Sequence, residues 1–175
     1  MPSRLKRIAL LGPESSGKTM LCSSLAIHYK TNWVPEFART FLESLDRPYS
    51  LDDVIYCAHE QLKAEDKSAG MASGLLFCDT EFINFRIWCL DVFKTCPDWI
   101  SALAATHRYD LYLLTRPDIP FVTDPLRVNE HRREELFGLY EAELNRFGHT
   151  YSIIEGTGDK RLENAVIAVD THLNT

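Results

Sequence analysis

The 175-residue sequence contains five cysteines but no C-x-x-C pair. Their number is odd, so a closed disulfide framework is not expected. Cys22, Cys57, Cys78, Cys89 and Cys96 read as reduced, mostly buried small hydrophobes of a cytoplasmic protein. The six histidines show no metal-ligand spacing, and His59-Glu60 lacks the second histidine of an H-E-x-x-H site. No apolar run reaches membrane-spanning length, so no membrane partner is expected. Between Arg7 and Pro13 stand only five apolar or small residues, too few for a signal-peptide core. Positive charge is also scarce. Nineteen Lys and Arg face 25 Asp and Glu, a net charge of −6, which points away from a nucleic-acid partner. No repeat and no linker is evident.

Apolar residues make up 45% of the chain and charged residues 25%, the usual globular mix. A chain of this length buries a substantial core without covalent staples and reads as one domain over residues 1–175. Residues 7–11, 32–35, 75–78, 111–114 and 151–154 read as strands. Residues 17–29, 36–45, 81–95, 130–146 and 160–173 read as helices. On the first of these, Leu21, Leu25 and His28 share a face. A further helix follows Ser50, which stands as its N-cap with Asp52 and Asp53 in the first turn. Pro97 interrupts the helical pattern, and prolines at 117, 120 and 125 make residues 116–129 a loop. Strands alternating with helices predict an α/β fold, a three-layer sandwich around a mostly parallel sheet of about five strands.

Gly12-Pro13-Glu14-Ser15-Ser16-Gly17-Lys18-Thr19 fits G-x-x-x-x-G-K-[ST] in full, between an apolar strand and a helix. Chance alone produces this motif in roughly one chain in a hundred of this length. Strand and helix on either side are the context that distinguishes a true phosphate-binding loop, or P-loop. Glycines let successive N–H groups turn inward toward phosphate oxygens, and the following helix adds its positive end. The expected nucleotide contacts are Gly12, Glu14, Ser15, Ser16, Gly17, Lys18, Thr19 and Met20. Lys18 would meet the outer phosphates of ATP and Thr19 would ligate Mg2+.

Asp79 ends the run Leu75-Leu76-Phe77-Cys78 at the carboxyl edge of the sheet. There it would hold magnesium with Thr19, or else it or Thr80 would cap the next helix. Residues 121–133 form a candidate lid, from which Arg127 and Arg133 would reach the phosphates; the alternative is surface pairing with Glu130, Glu134 or Glu135. Glu36 follows the second strand and could take the proton of an attacking hydroxyl, with Arg39 one turn later. A structural ion pair at the helix start is the alternative. Most of the aromatics at helical spacing belong to the core, and Tyr49 and Trp88 are the ones selected to hold a flat substrate ring.

No N-K-x-D sequence is present, against a GTPase, and no L-S-G-G-Q sequence, against a transporter ATPase. The length leaves little room for the helical domain of a remodelling ATPase. Two readings remain: a kinase for a small hydroxyl substrate, and a nucleotide-dependent switch without a phosphoryl acceptor. A substrate-side carboxylate such as Glu36 favours the kinase.

GPESSGKT at 12–19, VPEFAR at 34–39, Gln61, FCDTE at 77–81, Trp88 and YDLYLLTRPDIPFVTDPLR at 109–127 resemble the ribosylnicotinamide kinase domain of NadR-like proteins. The resemblance runs from about residue 7 to residue 162. It implies a P-loop kinase with a lid that phosphorylates the 5′-hydroxyl of nicotinamide riboside with ATP and Mg2+. By the same resemblance Asp79 serves magnesium or the hydroxyl, Glu36 and Arg39 face the riboside, and Arg127 and Arg133 belong to the lid. Phe121 and Pro125 stand where the family often has tryptophan and glycine. The DNA-binding and nucleotidyltransferase parts of multifunctional members have no counterpart in these residues, so neither activity is expected of them.

Overall fold

The apolar run after Lys6 becomes the central strand of a sheet. A computed structural model describes residues 4–72, 74–106, 109–123 and 125–174. The five strands are Lys6–Leu11 (β1), Asn32–Val34 (β2), Leu75–Asp79 (β3), Leu111–Thr115 (β4) and Tyr151–Ile154 (β5). They pair in the order β2-β3-β1-β4-β5, and every pairing is parallel.

Parallel strands require crossovers, and seven helices occur among the described residues: Lys18–His28 (α1), Phe37–Glu43 (α2), Leu51–Ala69 (α3), Phe82–Phe93 (α4), Asp98–Thr106 (α5), Arg133–Phe147 (α6) and Gly158–Leu173 (α7). Side chains alternate across the sheet. Ile8, Leu10, Phe77, Leu111 and Leu113 face α1 and α7, and Ala9, Leu11, Leu76, Cys78, Tyr112 and Leu114 face the remaining helices. The middle of the sheet is therefore dry on both faces, which is why β1, β3 and β4 read as apolar runs. Burial holds the Cys22 and Cys78 thiols well above their usual range and pushes Cys57 and Cys89 up to about 12. They pack as hydrophobes. No helix among the described residues is long and apolar enough to cross a membrane.

Ser50 caps α3 as expected, in a reciprocal pair with Asp53 that Arg47 grips at 2.7 and 2.8 Å. Four expectations need correction. His28 is exposed, because α1 turns Leu21, Cys22, Leu25 and Ala26 to the core instead. Residues after Pro97 form α5, a short helix with only Ile100 and Ala104 fully inside, too few to mark it by periodicity. Residues 130–132 make a 3-10 turn before α6, so the long charged helix begins later than its pattern suggests. Neither Asp79 nor Thr80 caps α4. Glu81 does, accepting from the Ile83 and Asn84 amides at 2.8 and 3.0 Å.

Candidate active site

The carboxyl ends of β1, β2 and β3 open into a cavity of about 1160 Å3. A pocket for one small molecule is commonly roughly 300–1,000 Å3, so this space is larger than a single small ligand requires. One wall is the loop of residues 12–19. Gly12 has φ 144°, and a Cβ there would lie 2.5 Å from Thr115 Oγ1 and 2.7 Å from the Thr115 carbonyl. Only glycine lets the loop pass this close to the end of β4. Gly17, with φ 79°, turns the chain into α1.

The loop is braced from behind. The Ser16 hydroxyl donates to the Pro13 carbonyl at 2.7 Å and shares a hydrogen bond of 2.6 Å with Thr115 Oγ1. Arg161 of α7, almost fully buried, donates to the Ser16 carbonyl at 2.9 Å, to Arg116, Ile154 and Gly156 carbonyls, and to Asp118. The Lys18 ammonium lies inside the curl, donating to the Gly12 and Pro13 carbonyls at 2.9 Å each. Burial lowers its pKa, against the opposing fields of Glu36, Asp79 and Glu14; Arg127 adds a little to the lowering. An ammonium so placed favours an incoming anion.

Beneath the wall, the Thr19 hydroxyl donates to Asp79 Oδ2 at 2.6 Å. Asp79 is fully buried, and its Oδ1 has no hydrogen-bond partner among the described residues. Burial, then the charge of Glu36, pushes its carboxyl up to about 6 despite Lys18 and Thr19. A desolvated carboxylate with a free oxygen, beside a hydroxyl and a phosphate site, suits magnesium, which takes one or two protein oxygens plus phosphate and water. Two residues on, Glu81 is pushed by burial up to about 8 from 4.5, its two backbone donors only partly opposing this. A carboxyl raised on folding contributes stability that is complete below its unfolded pKa and lost as pH rises through its folded pKa. The unmodified protein should therefore lose melting temperature relative to Glu81→Gln between about pH 4.5 and 8. A constant gap across that window would show that Glu81 does not titrate there.

Glu36 reaches the same place from β2. The register pairs Val34 with Cys78, so the residues that follow each strand emerge side by side. One side chain fixes their relation. Gln61 of α3 accepts from the Phe37 amide at 2.8 Å and donates to the Pro35 carbonyl at 3.2 Å and the Asp79 carbonyl at 3.3 Å. It is buried and clamps the backbone on both sides of Glu36 to the end of β3. Gln61→Leu strands three backbone groups at once, the Asp79 carbonyl buried and the other two partly so. Leaving such groups unpaired costs about 1–3 kcal/mol each, so urea unfolding should show a loss of at least that size. A change below about 0.5 kcal/mol would mean the clamp holds nothing.

The candidate lid packs against the loop. Glu14 accepts from the Asn129 amide at 3.1 Å and from Asn129 Nδ2 at 2.7 Å, and Ser15 Oγ bonds the Val122 backbone at 3.2 Å. Arg127 lines the cavity and donates to the Val122 carbonyl at 3.3 Å. Arg133 does not line it. Its guanidinium donates to the Ser15 carbonyl at 2.9 Å and to the Ile119 carbonyl, and stacks over Phe121. Arg132 pairs with Asp91 of α4 and with Glu135, the surface pairing weighed for these arginines.

Of the residues expected from sequence, the loop from Gly12 to Met20, Glu36, Arg39, Tyr49, Trp88 and Arg127 all line the cavity. Arg39 also pairs with Glu43 at 2.6 Å, which gives it a structural partner as well as a place on the wall. Trp88 Nε1 donates to the Tyr49 hydroxyl at 3.2 Å, with the two rings edge to face. Asp79 and Arg133 lie one layer behind. Sequence reasoning missed the bracing by Arg161 and the Glu14–Asn129 contact. Neither has a local signal, because each joins residues more than a hundred positions apart.

Comparison with known proteins identifies the family and the fold. The family model for an AAA domain matches residues 7–161. The trifunctional NAD biosynthesis/regulator protein NadR of Salmonella typhimurium and that of Escherichia coli are each 30% identical over 132 residues, 72% of this chain and 32% of theirs. The chain thus spans about a third of the length of the curated relatives it matches. A crystal structure of NadR protein in complex with NR superposes with a TM-score of 0.84 at 24% identity, over 97% of this chain and 52% of that one. Thymidylate kinase from Ehrlichia chaffeensis superposes at 0.63 and 14% identity, over 95% and 98%. The fold is that of the P-loop kinases, and the chain belongs to the AAA domain family that its loop, strands and helices match over residues 7–161.

Proposed function

We propose that the protein transfers the γ-phosphate of ATP to the 5′-hydroxyl of nicotinamide riboside, giving nicotinamide mononucleotide. The observation that carries this reading is the pair of carboxylates at adjacent strand ends. Glu36 lines the cavity, and Asp79 lies beneath it against Thr19, with Lys18 between their fields. A kinase needs a proton acceptor on the substrate side and an acid on the metal side. Exposure separates the roles: Glu36 takes the hydroxyl proton, and buried Asp79 serves the metal. The NR bound to NadR, read as nicotinamide riboside, supports the acceptor, as do the Tyr49–Trp88 pair and the acidic surroundings that a cationic ring favours.

In the reaction the loop amides and Lys18 hold the phosphates, and Glu36 receives the proton as the 5′-oxygen attacks the γ-phosphorus and the bond from that phosphorus to the bridging oxygen breaks, releasing ADP. Thr19 and Asp79 would hold a magnesium ion, which would supply positive charge against the phosphate oxygens. Arg127 is the lid cation of the site, and Arg133 sets the lid on its hinge by gripping Ser15 and Ile119.

Glu36→Gln should lower kcat for the riboside about a hundred- to ten-thousandfold while the Kd for ATP changes less than threefold. Product formation is followed by mass and ATP binding by calorimetry. Unchanged kcat would remove Glu36 from the chemistry.

A further inference from the structure

A second wall of the cavity is built from the segment that precedes α3, with Tyr49, and from α4 and α6. Its polar groups are largely committed to one another. Trp88 gives its indole N–H to Tyr49. Asn84, one turn before Trp88 on α4, has its backbone amide held by Glu81 and its side-chain Oδ1 held by the Tyr140 hydroxyl of α6. Burial raises the Tyr140 pKa, so that hydroxyl stays a donor throughout the working pH range. With the Tyr140 hydroxyl donating to Oδ1, Nδ2 is the amide atom that remains as a donor. Nδ2 has no partner among the described residues, and Asn84 lines the cavity.

The frame around Asn84 is stiff. Arg86 bridges to Glu143 at 3.0 Å, and Arg132 holds Asp91 through two bonds of 2.9 and 2.8 Å. These contacts pin α4 to α6 and to the lid over the two turns that follow Asn84. A donor that does not have to be ordered on binding adds selectivity at little entropic cost. Beside it stand the Trp88 and Tyr49 rings, about one helical turn along the same face.

We propose that Asn84, set by Tyr140, is the specificity residue of this cavity: its Nδ2 donates to a carbonyl oxygen carried on the flat ring of the acceptor substrate. Asn84 is the specificity-determining residue and Tyr140 the positioning residue behind it. This rests on the reading of the cavity as a riboside site, and it adds which part of the ring is recognised. A ring carboxamide supplies the acceptor; an unsubstituted pyridinium riboside does not.

The test compares the affinities of nicotinamide riboside and N-ribosylpyridinium by calorimetry, with a non-hydrolysable ATP analogue present. Both ligands carry the same positive charge, so their affinity ratio isolates the carbonyl contact. The unmodified protein should prefer nicotinamide riboside about tenfold, the worth of one neutral hydrogen bond. Asn84→Asp keeps shape and the Tyr140 bond but removes the donor, and its ratio should fall to about one. Asn84→Ala should do the same, and Tyr140→Phe should lower the ratio part of the way by releasing the amide. A ratio unchanged in Asn84→Asp, or a ratio near one in the unmodified protein, overturns the assignment. Binding of neither riboside by the unmodified protein overturns the riboside reading itself, and the assignment with it.

Discussion

Lys18→Ala is expected to lower kcat for phosphoryl transfer about a hundred- to a thousandfold while leaving the fold intact. The ammonium is the cation held within the curl of the loop, hydrogen-bonded to the Gly12 and Pro13 carbonyls. When phosphates enter, those carbonyl bonds are exchanged for charge-assisted bonds to the outer phosphate oxygens, which strengthen as charge develops in transfer. Loss of one such donor lowers kcat about a hundred- to a thousandfold. Affinity for ATP should fall about ten- to a hundredfold, the range for a hydrogen bond to a charged group. Stability should change little, because burial already opposes the charged form of Lys18 in the empty loop. Calorimetry with ATP, a coupled ADP assay and thermal unfolding check the three parts. Wild-type turnover in the variant would contradict the role given to the loop.

The second large effect is at Asp79. Asp79→Asn keeps the shape of the side chain and can still accept from the Thr19 hydroxyl, but it removes the charge. Turnover should drop by about three orders of magnitude or more, with ATP binding in the absence of metal nearly unchanged. The magnesium concentration for half-maximal rate should rise at the same time. Stability gives a separate readout. The carboxyl is pushed up to about 6 by burial and by Glu36, so at neutral pH its charged form is disfavoured in the free protein. The amide should therefore be neutral or stabilising near pH 7, and the advantage should shrink as pH falls below about 6 and the carboxyl protonates. A magnesium dependence identical to the parent, together with a loss of stability, would instead assign Asp79 a structural role.

Much of this site was legible because its parts are local in sequence. The loop is eight consecutive residues, and its glycines are demanded by backbone geometry, as the approach of Gly12 to Thr115 shows. The central strands were legible because burial on both faces leaves continuous apolar runs, and Asp79 because it ends such a run; Glu36 was legible from Pro35, which stops the short edge strand before it. What was not legible is non-local. Gln61 sits on the buried face of an amphipathic helix, where an amide among apolar residues signals a clamp without naming its partners. The identity of the lid arginines fails for the same reason. Arg127, Arg132 and Arg133 lie within seven residues, yet one lines the cavity, one pairs with α4 and one grips the loop from below. α5 was missed because only Ile100 and Ala104 of its nine residues are buried.

The central claim is that the phosphate goes to a riboside hydroxyl and not to water. The measurement that tests it most directly is incubation of the purified protein with ATP, magnesium and nicotinamide riboside, with products identified by mass spectrometry. The account predicts nicotinamide mononucleotide and ADP in equal amounts, neither formed without the riboside. ADP and inorganic phosphate at the same rate with and without riboside, and no mononucleotide, would contradict it.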